Sequence, residues 1–421
     1  MDSTPPPRMH NAAAYSGLYG QLVTQAAFTW WRRSLAIEQP HITLADILAL
    51  EQRIAASLNG LMTSVELGWE SCEAALALGE PGEQFTATVV ALRSHDVRHI
   101  QAVVESGLKS EQVTTGLISA FGWLGSDIIS PWIVKFLNGK DLNHKDLGIA
   151  ACSVRRADPG EKLNEILKRE DCRQHIPLYT RALRLVGELR RLDLITALHA
   201  AAISPEPSIA FWANWSLILL GQHAAVKPLQ SLVFNRGPHQ ARALQMAFRV
   251  LPIGSAQEWI STLSKDPVNV RTVITATGVL GDPHAVNWLI GKMADPLLAR
   301  LAGEAFTNIT GVDLVKYRLH QEPRVGQPAI TPDESIGTPL HPEDENLPLP
   351  DVDKVAALWR HHGSNFMVGR RYFLGKPITP EWLKSWIPEG TMRQRHAAAL
   401  ELALIDPNSR LANTRAKVVN E

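Results

Sequence analysis

Aligning the chain on the small, capping or turn-forming residue between two helical stretches gives Gly125, Asp158, Arg190, Gly221, Pro252, Gly281 and Gly311. The steps between these marks are 33, 32, 31, 31, 29 and 30 residues. Eight positions after each mark stands an apolar residue: Ile133, Ile166, Leu198, Leu229, Ile260, Leu289 and Leu319. Seven apolar residues in seven equivalent places is more than chance supplies in a chain that is 45% hydrophobic. A period near 30 residues is the mark of stacked helical hairpins, none of which buries its apolar face alone.

The helix entrances repeat as well. Glu206-Pro207, Gly237-Pro238, Asp266-Pro267 and Asp295-Pro296 each precede a mark by about half a repeat. An acidic residue or Gly followed by Pro is good helix-start chemistry, because Pro lacks only an N–H that would be orphaned there anyway. Amphipathic runs such as Val270 to Leu280 follow, then the turn, then a shorter second helix such as Ala285 to Met293. The spacing predicts an all-α fold, a HEAT-like α-solenoid of about six to seven helix pairs with a helical cap at each end.

The run GVLGDPHAVNWLIGKMADPLLARLAGEAF, Gly278 to Phe306, resembles the HEAT-like repeat of phycobilisome lyases. Longer strings narrow the resemblance: GPHQARALQMAFRVLP (237–252), LAGEAFTNITGVDL (301–314), YFLGKPITPEWL (372–383) and RQRHAAALELAL (393–404). Together they are similar to a family of uncharacterised bacterial HEAT-like proteins encoded near type VI secretion genes. The similarity runs from about His41 onward. That family has no established catalytic residues, so none carries over to this chain.

Four segments follow along the chain. Residues 1–109 read as an irregular N-terminal helical cap, 110–321 as the repeat array, 322–354 as a linker and 355–421 as a basic C-terminal helical cap. The linker holds seven prolines, eight acidic residues and two basic ones, too little apolar surface to fold alone. The segment after it carries ten basic and five acidic residues.

Across the whole chain 42 basic and 42 acidic residues cancel, so no global field draws it to nucleic acid or an anionic membrane. Three cysteines, Cys72, Cys152 and Cys172, form no CxxC, which fits a reducing cytoplasm. Neither a signal peptide nor an apolar run of about 20 residues is legible.

Few constellations suggest chemistry. His95 and His99 in HDVRH are spaced for a metal on one helical face, yet Asp96 reads as an N-cap and no third ligand is adjacent. His361-His362 are adjacent, which points them to different helix faces. GKD at Gly139–Asp141 lacks the rest of a phosphate loop. The expectation is therefore no enzyme, no cofactor, no metal and no small-molecule substrate.

Two rows remain. Arg242, Arg271 and Arg300 recur every 29 residues, either to clamp an acidic partner or as a ladder reaching capping Asp residues and carbonyls of the next repeat. Trp132, Trp259 and Trp288 each stand seven places after a mark, either as core or as anchors on a binding face.

The reading is a non-catalytic protein-binding scaffold, an adaptor or chaperone-like accessory of type VI secretion, whose partner is a secreted effector or spike-tip component. Two alternatives stand beside it: an immunity protein neutralising a co-encoded toxin, and a HEAT-like lyase or cofactor-protein chaperone. A HEAT-like DNA glycosylase would need a basic groove, which the neutral balance opposes.

Overall fold

The computed structural model describes residues 11–321 and 342–418, with side chains from Gly17 onward. Among them are 22 α-helices and one two-stranded hairpin, so the chain is all-α. It divides into two units. The first comprises residues up to 38, 42–197 and those from 413, the second 39–41 and 198–412. This division differs from the four segments expected: the array is split at 197, and the last residues return to the first unit.

In the first unit the helices are α1 (Asn11–Ala36), α2 (Leu44–Leu61), α3 (Val65–Leu76), α4 (Pro81–Ser94), α5 (Val97–Gly107) and α6 (Glu111–Trp123). They continue as α7 (Ser126–Asn138), α8 (Leu142–Arg155), α9 (Glu161–Lys168), α10 (Glu170–Gln174) and α11 (Ile176–Leu189). Helix α4 is the centre, with every residue from Gln84 to Leu92 buried. Its threonines survive burial by donating to their own helix: Thr86 to Gly82 O at 2.9 Å and Thr88 to Gln84 O at 2.6 Å. Gln84 Nε2 donates to Val103 O of α5 at 2.8 Å. Helix α6 comes so close that a Cβ on Gly116 would lie 2.0 Å from Pro81 O.

Division into units falls within α12 (Ile195–Ala202), and the second unit continues with α13 (Pro207–Leu219), α14 (Gln230–Phe234), α15 (Gln240–Val250) and α16 (Ile253–Leu263). Then come α17 (Val270–Leu280), α18 (Val286–Lys292), α19 (Ala299–Thr310) and α20 (Val352–His362). Strands β1 (Tyr372–Phe373) and β2 (Lys376–Pro377) precede α21 (Pro380–Glu389) and α22 (Met392–Ile405). Glu206 and Asp266 cap as expected, accepting from Ser208 N and Val268 N. Gly237-Pro238 lies further from its helix, which starts at Gln240 with His239 as cap.

Of the seven recurring apolar residues, Ile133, Ile166, Leu198, Leu229, Leu289 and Leu319 are buried. Ile260 is only half-buried, because Trp259 takes the core position instead. The indole lies edge-on to Phe234 and Phe248, at centroid distances of 5.8 and 6.3 Å, a socket that a sequence period cannot show. Arg190, Gly281 and Gly311 are left-handed C-caps, and Gly221, one residue past the α13 cap Leu220, also has positive φ.

The hairpin explains one of these glycines, Gly281, further. Tyr372 N–H donates to Gly281 O at 2.9 Å, and Leu374 N–H to Asn308 O at 2.7 Å. The hairpin is thus seated on the C-terminal ends of α17 and α19, where a Cβ on Gly281 would lie 2.2 Å from Tyr372 O. Behind it, Arg371 forks onto Glu401 with both contacts at 2.8 Å, and also donates to Arg249 O and Leu280 O. Arg249 completes the group, 3.2 Å from Glu401.

Two expectations need correction. The C-terminal helices do not simply close the last repeat: α20 lies on α18, whereas α22 lies on α13 and α15 and gives Ala403 and Leu404 to their core. The buried Glu401–Arg249 contact anchors α22 there. Of the expected linker, residues 322–341 lie outside the described residues, but 342–354 is packed. Asp344 and Leu347 are buried, and His320 bridges to Pro350.

Candidate protein-binding site

The three tryptophans of the row separate in the structure. Trp259 is core, as its aromatic socket requires. Trp132 is half-buried, with the Lys135 ammonium 4.6 Å from its ring centroid. Trp288 is 37% exposed, and Lys292 lies 5.5 Å from its centroid. Each lysine is one turn along the same helix, so the exposed indole faces are shared with a cation.

Two members of the arginine row are spent on the chain's own acidic segment. Arg271 pairs with the buried Asp344 at 2.7 Å and donates to Leu297 O, in the next repeat, at 3.4 Å. Arg300 donates to Leu347 O, and burial lowers its pKa. From α22, Arg393 pairs with Glu304 at 3.0 Å and donates to Glu343 O at 2.7 Å. The acidic ligand that a guanidinium row suits is therefore supplied in cis. Arg242 is exposed and lies over Trp212, 5.8 Å from its ring centroid.

The histidines have structural surroundings. His95 is the left-handed C-cap of α4, and Asp96 caps α5 by accepting from Arg98 N at 2.8 Å. His99 stacks on Trp69 at 4.2 Å. Among the described residues no group of three His, Cys, Asp or Glu side chains is placed to hold a metal. His361 and His362 are exposed at the end of α20. Also among the described residues, no helix is long and apolar enough to cross a membrane.

The surface best suited to a protein partner lies on α1. Phe28, Trp31 and Leu35 are 55%, 49% and 48% exposed. Their spacing of three and four residues sets them on one face, and Phe28 stacks on Trp31 at 5.8 Å. The opposite face, Val23, Ala26, Ala27 and Trp30, is buried, as is Ile37 just past the helix end. Trp30 is held there by an indole N–H to Ser119 Oγ at 2.8 Å. The repeat analysis missed this stripe because α1 precedes the first mark. The signal was nonetheless present in the spacing, since Phe28, Trp31 and Leu35 recur at three and four residues on one helix face.

Comparison of the chain with family models, with curated proteins and with solved structures finds no match.

Proposed function

We propose that this protein is a non-catalytic, cytoplasmic scaffold that binds another protein, working as an adaptor or chaperone-like accessory of bacterial type VI secretion. The carrying observation is the Phe28–Trp31–Leu35 stripe. Exposed aromatics grouped on a rigid helix are the usual anchors of protein interfaces, since they bury large area with few rotors to order. The assignment to type VI secretion rests on the resemblance of the repeat strings. An effector or spike-tip component is the partner that this reading requires.

The test compares the intact chain with a Phe28→Ser/Trp31→Ser variant as bait in the native bacterium. Recovered secretion components are quantified by mass spectrometry, and both proteins are melted. Two anchors worth about 2 kcal/mol each predict at least a tenfold loss of recovery. The melting temperature should stay within about 2 °C, as for exposed substitutions generally. Unchanged recovery, or a bait that retrieves no secretion component, overturns the proposal.

A further inference from the structure

The first unit contains a cleft of about 620 Å3, bordered by α2, the α6–α7 turn, the end of α8 and the chain's own residues 413–418. That tail is held chiefly through its main chain. Arg33 Nη2 donates to the carbonyls of Arg415 and Ala416 at 3.3 and 3.1 Å, and Val418 N–H donates to Glu51 Oε2 at 2.9 Å. Arg33 and Glu51 are themselves buried and paired at 2.6 Å, so this donor–acceptor couple is fixed before any peptide arrives.

Side chains add register. Asn413 Nδ2 donates to Val154 O at 2.7 Å, and the Lys417 ammonium lies 4.6 Å from the Trp123 ring centroid. Arg415 pairs with Glu38 at the rim. Main-chain contacts that carry the hold, with a few side-chain positions for choice, are how peptide-recognition sites work.

The tail does not fill the cleft. Leu48, Gln52, Ala55 and Gly122 line volume that remains beside it, and the tail lines it with Asn413, Ala416, Lys417 and Val418, of which Ala416 has the smallest side chain. Trp123 is 6% exposed, and its indole N–H has no hydrogen-bond partner among the described residues. A site matched to the tail alone would leave neither the volume nor the orphaned donor.

We propose that this cleft is a peptide-binding site whose other occupant is a segment of a partner protein displacing the tail. That segment would share the tail's pattern, Asn, three residues, Lys and an apolar residue, with a side chain larger than alanine before the Lys. The tail is then a competitor held in cis. This inference does not rest on the α1 stripe, and its test leaves that helix untouched.

The probe is a fluorescent peptide of residues Asn413 to Glu421. It is titrated into the intact chain and into a full chain carrying Asn413→Ala/Lys417→Ala, which weakens the cis tail. A tethered tail competes at an effective concentration on the order of 1 mM, so the intact chain should bind the probe at least tenfold more weakly. A Val418→Pro peptide lacks the N–H that Glu51 accepts and should bind the weakened chain at least tenfold more weakly. An Ala416→Leu peptide, which extends into the unfilled volume, should bind about 3- to 10-fold more tightly.

No binding by the weakened chain at about 1 mM probe, or equal binding by the intact chain, overturns the site. Indifference to Val418→Pro overturns it too. An Ala416→Leu peptide that binds no better overturns the partner, because the cleft then matches the tail alone. A tail-dependent dimer of the intact chain would make a second copy the occupant and also overturn it. If the double variant melts early, the full chain carrying Val418→Pro repeats the titration.

Discussion

Replacing Glu401 by Gln should cost about 3–5 kcal/mol, the range for removing one partner of a buried ion pair. Glu401 is 2% exposed and accepts two contacts at 2.8 Å from Arg371, with Arg249 at 3.2 Å. Lost charged hydrogen bonds set the scale at about 1.5–3 kcal/mol each. Part of that is recovered, because Arg371 keeps its two carbonyl acceptors and some access to water. Arg249 has less relief. Burial already lowers its pKa to about 10 with the carboxylate present, and its guanidinium otherwise donates to Gln245, to the carbonyl O and to Oε1.

Urea unfolding should report the loss as a lower midpoint at unchanged slope. For a unit of roughly 200 residues the melting temperature should fall by roughly 6–20 °C. An Arg249→Met/Glu401→Met variant separates charge from packing, since an apolar replacement of a buried pair is often near neutral. A Glu401→Gln cost below about 1 kcal/mol would show that the group is solvated and refute the reasoning. Equal losses in both variants would place the cost in packing rather than in the stranded charge.

Three further outcomes are expected. Gly281→Ala should cost about 2–5 kcal/mol, combining left-handed strain with displacement of the hairpin, whereas Gly221→Ala, with open space around it, should cost about 1–2. Equal losses in chemical denaturation would mean that the hairpin yields freely. Leu229→Ala should cost about 2–5 kcal/mol and Ile260→Ala clearly less, because Leu229 is buried and Ile260 half-buried; the reverse order would discredit the burial pattern. Burial raises the Glu51 carboxyl above its ordinary 4.5, against the pull of Arg33 and the Val418 amide. Folding thus favours its protonated form, and that contribution is complete below the ordinary value and lost as pH rises through the folded one. Relative to Glu51→Gln, the intact chain should lose stability as pH rises above the ordinary carboxyl value of 4.5, and a difference that grows the other way contradicts this.

Helix placement was legible because it is local. Pro207 and Pro267 after acidic caps, the apolar run from Val270 to Leu280, and glycines at 221, 281 and 311 each act within a turn or two of chain. The seven recurring apolar positions placed six core residues correctly, since a periodic burial requirement leaves a periodic trace. The exception, Ile260 yielding to Trp259, turned on two phenylalanines that meet only in three dimensions.

What the tertiary structure decided is where the unpatterned groups go. Arg271 finds Asp344, Arg249 finds Glu401, and Arg33 and Glu51 receive residues 415–418 from the far end of the chain. One arginine and one carboxylate carry no periodicity, so dozens of pairings suit the sequence equally. The choice is made by which pair loses water together once the helices have packed, because only there does the unpaired charge become costly. The acidic proline-rich segment reads as unfoldable for the same reason: alone it buries little, and the three arginines that hold its residues 343–347 lie on other helices.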